Sequence, residues 1–297
     1  MPKVTVLIPS YNAAHFLPTS IESALSQTYQ DFEIVVIDDG SSDKTKDVVK
    51  TYIDKYPNKI HYLWQENKGL PAARNTGIAH SQGEYLALLD ADDKWLPCRL
   101  EEEVGILDAD SSIGIVHANI TLIDVNGKEI STPKRQINHL NGFIFNNILL
   151  RKADISCPTV LFRRSCSEEV GLFDINLSRL GCEDRDLWLR IAQKYKIAYI
   201  DKVLSYYRVS PQSMSSNLEK MLAARLYVID KFCPPNDKDK QVLRNKALAK
   251  IFKDRGDGFL MQKDYIKARQ EYHKAIKHDP LAFWPRVNLI KTVLTNK

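Results

Sequence analysis

Residues 84–93 read EYLALLDADD, an apolar run that stops on three acids within four positions. So short and uniform an apolar run fits a strand covered on both faces, as in a parallel sheet. The same pattern recurs upstream. Residues 4–8 (VTVLI) are largely β-branched and lead into Pro9-Ser10-Tyr11-Asn12, and residues 33–37 (EIVVI) stop at Asp38-Asp39-Gly40-Ser41-Ser42. Residues 60–64 read as a further strand. Helical patterns fill the gaps: residues 16–27, a segment opening near Ser42 or Asp43 (either a competent cap), and residues 71–80. Strand–helix alternation of this kind predicts an α/β fold, a mostly parallel central sheet with helices on both faces.

Beyond Asp93 the pattern loosens. Helices are expected over 97–107, 137–150 and 184–194, and strands over 113–124, 158–163, 197–200 and 203–208, with a hairpin turn at Asn126-Gly127. The Ser-rich stretch 210–217 reads as a loop or linker, and from Leu218 onward the pattern is helical. Phe252, Gly256, Phe259, Ala268, Tyr272, Ala275 and Pro280 fall at the spacings of one tetratricopeptide repeat, about residues 249–282. Ala268 and Ala275 would let two helices pack closely, and Pro280 is expected to open the next helix. A single repeat cannot bury its own face, so it must dock on its neighbours. The expected domains are 1–215 and 216–297.

The net charge of +5 is unevenly spread: residues 216–297 carry 18 Lys/Arg against 9 Asp/Glu, and residues 1–215 are net acidic. A basic helical tail of this kind suits an anionic membrane surface or an acidic partner, and no nucleic-acid partner is expected. No stretch reaches the roughly 20 apolar residues of a membrane span. Five cysteines, an odd number without CxxC spacing, fit reduced thiols and a cytoplasmic location, peripheral at the inner membrane face if the tail binds lipid.

In an open parallel sheet ligands bind beyond the carboxyl ends of the strands, and three of the first four strands end in polar or acidic clusters. If the fourth strand stays extended, Asp90 and Asp92 point the same way and can hold one hard divalent cation, Mg²⁺ or Mn²⁺, whose shell phosphate and water complete. The chain has no GxxxxGK[ST] and no GxGxxG, so bound phosphates would be neutralised by metal and by Lys68 and Arg74. The run GCEDRDLW (181–188) sits where loop becomes helix. Its acids either answer the helix dipole, or one caps the helix while another faces the cleft.

The stretches VTVLIPSYN (4–12), FEIVVIDDGSSDKT (32–45), NKGLPAARNTGIAHSQGEYLALLDADD (67–93) and EDRDLWLR (183–190) together resemble glycosyltransferase family 2, with its GT-A fold, over residues 3–210. The resemblance implies inverting transfer of a sugar from a nucleotide-diphosphate donor, a UDP-sugar above all, to a hydroxyl acceptor in cell-surface polysaccharide or glycoconjugate synthesis. It places Pro9 and Tyr11 in the nucleotide base pocket, Asp39 on the base, and Arg74 near the base or diphosphate. It makes Asp90 and Asp92 the DxD motif at ribose, phosphate and metal, extended by Asp93, and Asp184 the catalytic base. Relatives carrying YRxH have His where this chain has Ser210, after Tyr207-Arg208-Val209, and QxxRW is absent, which speaks against a processive synthase. Two other readings are weaker. A nucleotidyltransferase needs a Gly-rich basic loop after the first strand, which residues 10–14 lack, and a catalytically lapsed scaffold would not need Asp39, Asp92 and Asp184 intact.

Overall fold

β1 (Val4–Ser10) and β2 (Phe32–Asp38) are buried along their whole length, as strands are when helices cover both faces of a sheet. The computed structural model describes residues 1–130, 140–210 and 217–294. They divide into two compact units: the described residues of 1–145, 153–179 and 183–213, and those of 146–152, 180–182 and 214–297. Most of the expected 210–217 linker, and residues 137–139 of the helix expected over 137–150, lie outside the described residues.

In the first unit the chain alternates as its pattern predicts: β1, α1 (Leu17–Leu25), β2, α2 (Thr45–Lys55), β3 (Ile60–Trp64), α3 (Leu70–His80), β4 (Tyr85–Leu88). It continues through β5 (Lys94–Trp95), α4 (Arg99–Ala109), β6 (Ile113–Ile123), α5 (Phe145–Leu149, which from residue 146 belongs to the second unit), β7 (Leu161–Arg163), α6 (Arg164–Val170), α7 (Glu183–Ala192) and β8 (Lys196–Arg208). The sheet order is β3-β2-β1-β4-β7-β6-β8-β5. The first four strands and the β6–β8 pair are parallel, while β7 runs against both β4 and β6, and β5 against β8. Ser10 pairs with Asp38 and Leu7 with Leu88, so the loops after β1, β2 and β4 leave the sheet at one edge. Val6, Ile34 and Ala87 share that register and are fully buried. Sealing a Val or Ile side chain in this way contributes about 1.5–3 kcal/mol.

Several boundaries differ from the expectation for physical reasons. α2 starts at Thr45, and its N-cap residue, Lys44, makes no side-chain cap bond. Asp43 turns its carboxylate to the Thr45 N–H and hydroxyl and to the Ala14 N–H (3.0, 2.6 and 3.0 Å). The strand expected from Pro158 starts at Leu161, and Pro158, which lacks a ladder donor, sits in a 3₁₀ turn. Its carbonyl accepts from Trp95 Nε1 and Ser205 Oγ instead. The two strands expected over 197–208 are one, because register shifts opposite Ala118–Ile120 absorb the irregularity.

The second unit contains α8 (Leu218–Phe232), α9 (Gln241–Met261), α10 (Tyr265–His278) and α11 (Phe283–Leu294). Only residues 262–264 join α9 to α10, and Ala268, Tyr272 and Ala275 are fully buried. Close approach is built on Gly256, where an added Cβ would lie 2.6 Å from the Tyr272 ring. The Tyr272 hydroxyl donates to Asp257 Oδ1 at 2.9 Å. Pro280 does not open α11; it lies in the turn three residues before it. No helix among the described residues is long and apolar enough to cross a membrane.

Candidate active site

The loops after β1 and β2 are laced together. Asn12, at φ +50°, accepts the Ser42 N–H on Oδ1 at 2.8 Å, and its own N–H donates to Ser41 Oγ at 2.9 Å. Pro9 is buried at the end of β1, and Tyr11 stands beside it more than half exposed, an open aromatic face on a braced loop. Asp39 is buried, and its carboxylate holds the chain between β3 and α3: Oδ1 accepts from Gln65 Nε2 (2.6 Å) and the Lys68 N–H (2.9 Å), Oδ2 from the Gly69 N–H (2.8 Å). Three of roughly four lone-pair positions are thereby taken. Gly69 sits at φ +87°, and an added Cβ would meet Ser178 at 2.9 Å.

The three acids after β4 form a turn, not an extended strand end: the Asp93 N–H donates to the Asp90 carbonyl at 3.0 Å. The alternation argument for Asp90 and Asp92 therefore does not apply, and the turn itself brings the carboxylates together. Its shape is held from two sides. Ser20 Oγ lies 2.8 Å from the Ala91 carbonyl and 2.7 Å from that of Asp93. Arg208, the last residue of β8, donates from its backbone N–H to Asp93 Oδ1 and from Nε to the Asp92 carbonyl, both at 2.8 Å. Its Nη1 reaches the Asp124 carbonyl at 2.7 Å.

Burial, then the charge of Asp90, pushes the Asp92 carboxyl up to about 6. Burial and the two neighbouring acids push Asp93 up further, and its Oδ2 is buried with no hydrogen-bond partner. Among the described residues no three His, Cys, Asp or Glu side chains are grouped to hold a metal. Mg²⁺ and Mn²⁺ take one or two carboxylates and fill the shell with phosphate and water. A crowded Asp90–Asp92 pair with an orphaned neighbouring oxygen fits such a cation.

Arg74 links the two acidic motifs. It projects from α3 and is 1 % exposed. Nη1 donates to Glu183 Oε1 at 2.7 Å, while Nη2 donates to Asp90 Oδ1 at 2.8 Å and to Cys157 Sγ at 3.2 Å. Its guanidinium stacks 5.4 Å from the Phe173 ring, which is held by paired hydrogen bonds between Asn75 and the Phe173 backbone. Two carboxylates on one buried guanidinium satisfy the pairing that a buried charge needs.

Glu183, Asp184 and Asp186 all fall in the first turn of α7, where the helix dipole favours negative charge. Glu183 is committed to Arg74, and burial raises it to about 7 against the pull of that cation. Asp184 Oδ1 accepts the Arg185 N–H at 2.6 Å, and Arg185 in turn pairs with Asp154 at 3.0 Å. Burial raises the Asp184 carboxyl, and Arg74 opposes that shift. A carboxylate with a raised pKa is a stronger base, closer to what proton abstraction near neutral pH needs.

Lys68 contributes its backbone, as a donor to Asp39. Sequence reasoning did not single out Ser20, Cys157 or Glu183, and it noted Arg208 only beside a missing histidine. Arg208 carried a signal all the same: it follows a strand run and precedes a Ser-rich stretch, a position at the sheet edge.

A family model described as glycosyl transferase family 2 matches residues 5–171. An Escherichia coli relative, UDP-Glc:alpha-D-GlcNAc-diphosphoundecaprenol beta-1,3-glucosyltransferase WfgD, is 34% identical over 77% of this chain and 86% of its own. Three uncharacterised glycosyltransferases among the relatives are longer, and the chain spans 65%, 33% and 64% of their lengths. Among solved structures, S. aureus TarS 1–349 in complex with UDP-GlcNAc superposes with a TM-score of 0.66 at 20% identity, over 98% of this chain and 89% of that one. The mannosyltransferase PcManGT from Pyrobaculum calidifontis, in complex with GDP-Man and Mn²⁺, gives 0.66 at 19% identity over 99% and 80%. At that identity the two structures speak for the GT-A-like fold. The matched family model, together with the relative that is similar over most of both lengths, establishes that the chain belongs to glycosyl transferase family 2.

Proposed function

We propose that residues 1–215 are an inverting glycosyltransferase domain that moves a sugar from a nucleotide-diphosphate donor, a UDP-sugar, to a hydroxyl acceptor in cell-surface polysaccharide or glycoconjugate synthesis. Residues 216–297 are its helical appendage, with one tetratricopeptide-like repeat. The observation that carries the reading is the Arg74 bridge, which sets the acidic turn after β4 and the start of α7 on one guanidinium. The relative named for UDP-Glc and the TarS complex with UDP-GlcNAc support the donor class. Five free cysteines support a reducing, cytoplasmic setting.

On this reading Pro9 and Tyr11 take the nucleotide base, with Asp39 holding the adjoining loop and offering its last lone pair. Arg74 orients Asp90 and supplies positive charge beside the diphosphate. Asp90 and Asp92, with Asp93 behind them, hold a Mn²⁺ or Mg²⁺ ion, which when bound neutralises charge on the departing diphosphate. Asp184 takes the proton of the acceptor hydroxyl. The freed oxygen bonds the anomeric carbon as the bond to the diphosphate oxygen breaks on the opposite side, so the configuration inverts.

Nucleotide release from a panel of nucleotide sugars, with and without Mn²⁺ or Mg²⁺, tests donor and metal together. Asp184→Asn is expected to lower kcat by about 10²–10⁴-fold while donor affinity by calorimetry stays near that of the parent. Normal turnover in that variant would remove Asp184 from the base role.

A further inference from the structure

We infer that the outer face of α11 is a docking surface for an anionic lipid bilayer, seated at the level of the headgroups. The inference is independent of the transfer chemistry and rests on the second unit alone. With 3.6 residues per turn, Pro285, Asn288, Leu289 and Thr292 fall on one side of α11. That side faces the hairpin: Pro285 and Thr292 are buried, Asn288 donates to Asp257 at 2.9 Å, and Arg269 Nη2 donates to the Thr292 carbonyl at 2.6 Å. The opposite arc presents Phe283, Trp284 and Ile290, respectively 66%, 58% and 59% exposed, with Arg286 and Lys291 exposed among them. A helix of a water-soluble protein turns polar residues outward; this one turns large apolar residues both inward and outward.

Charge identifies the occupant. Residues 261–292 hold 7 Lys/Arg and 3 Asp/Glu. Glu271 is buried and Asp264 and Asp279 are half-buried, so no acid in this stretch is exposed. The exposed charges are all cationic. Lys267 and Lys274 reach back to Asp264 and Glu271, and Arg286 Nη2 donates to the Pro280 carbonyl; Lys277, Arg286 and Lys291 are exposed on the outer arcs of α10 and α11. A second copy of the chain would set cations against cations. An anionic bilayer answers both features at once, since its surface potential attracts Lys and Arg and its interface takes Trp and Phe with their apolar rings immersed.

The test is co-sedimentation of the full chain with vesicles of phosphatidylcholine alone and of phosphatidylcholine with phosphatidylglycerol at about 3:1. Binding is expected only to the second, and it should weaken with added salt. Arg286→Gln with Lys291→Gln should lower partitioning by about 25-fold, from about fivefold per charge. Phe283→Ala with Trp284→Ala should lower it at least tenfold. Both pairs lie on an exposed arc, and unchanged circular dichroism and Tm would show that they fold. Trp284→Phe should keep binding but lose the vesicle-induced blue shift of the parent's fluorescence, which fails if another tryptophan reports the contact. Equal binding to both vesicles, no binding, or binding indifferent to both double variants would overturn the inference. So would sedimentation velocity showing a dimer that Phe283→Ala/Trp284→Ala disrupts.

Discussion

Arg74 Nη1 and Glu183 Oε1 lie 2.7 Å apart across 109 residues of sequence, both side chains nearly sealed from water. That pair joins α3 to the start of α7, and through Nη2 it extends to Asp90. Removing one partner of a buried ion pair strands the others, at a cost of about 3–5 kcal/mol. Arg74→Ala is therefore expected to lower Tm sharply. Glu183→Gln is expected to fold with only a small loss, because burial already holds that carboxyl near 7 and a neutral amide oxygen can accept from Arg74. Its kcat should fall far less than that of Asp184→Asn. Equal losses in the two variants would mean that Glu183 takes the proton.

Asp39 braces the chain between β3 and α3, and on the proposed reading it also contacts the base. Asn in its place sets an amide against at least one of three donors, Gln65 Nε2 and the N–H groups of Lys68 and Gly69. Asp39→Asn should lose about 1–3 kcal/mol of stability together with donor affinity. A variant that lost affinity with an unchanged denaturation midpoint would show that the loop tolerates the change.

Stability should depend on pH through Glu103. It is fully buried on α4, one turn from Arg99, whose Nε lies 3.2 Å from it and whose guanidinium rests 3.9 Å from the Trp95 ring. Burial outweighs the pull of Arg99 and raises the carboxyl to about 8. The folded pKa lies above the unfolded one, so the native state binds the extra proton, and its stabilising effect is lost as pH rises between about 4.5 and 8. Glu103→Gln should flatten the Tm-versus-pH curve over that window. Parallel curves for parent and variant would contradict this.

In the helical unit Gly256→Ala is expected to cost about 1–3 kcal/mol by overpacking, since the new methyl would meet the Tyr272 ring at 2.6 Å. Chemical denaturation followed by far-ultraviolet circular dichroism reads the change. An unaltered midpoint would mean that α9 and α10 slide apart without penalty.

The alternation of residues 1–93 is legible because β1, β2 and β4 are buried throughout and mostly apolar, and each stops at a polar cluster. The far half of the sheet is less so: β7 is three residues long and antiparallel, and nothing local marks its partners. The site divides in the same way. Asp39, Arg74, Asp90, Asp92 and Asp184 announce themselves by motif, whereas Ser20, Cys157 and Arg208 act across 73, 83 and 115 residues. A serine on a helix or a cysteine in a turn has no local periodicity that reveals such a partner. The turn geometry of Asp90–Asp93 was hidden for a different reason, since an extended strand end and a β-turn share the same short acidic spelling.

Arg208 closes the acidic turn from the last strand of the first unit, and this bears on the order in which the protein is made. As synthesis proceeds from the amino terminus, β1 to β4 can pair while Asp90, Asp92 and Asp93 still crowd one another without the backbone clasp of Arg208 and without the Glu183 counterweight on Arg74. Closing loops of more than a hundred residues is slow and entropically costly. The centre is thus finished last: a nascent chain that has not reached residue 208 can pair β1 to β4 but lacks the clasp that Arg208 puts on the acidic turn.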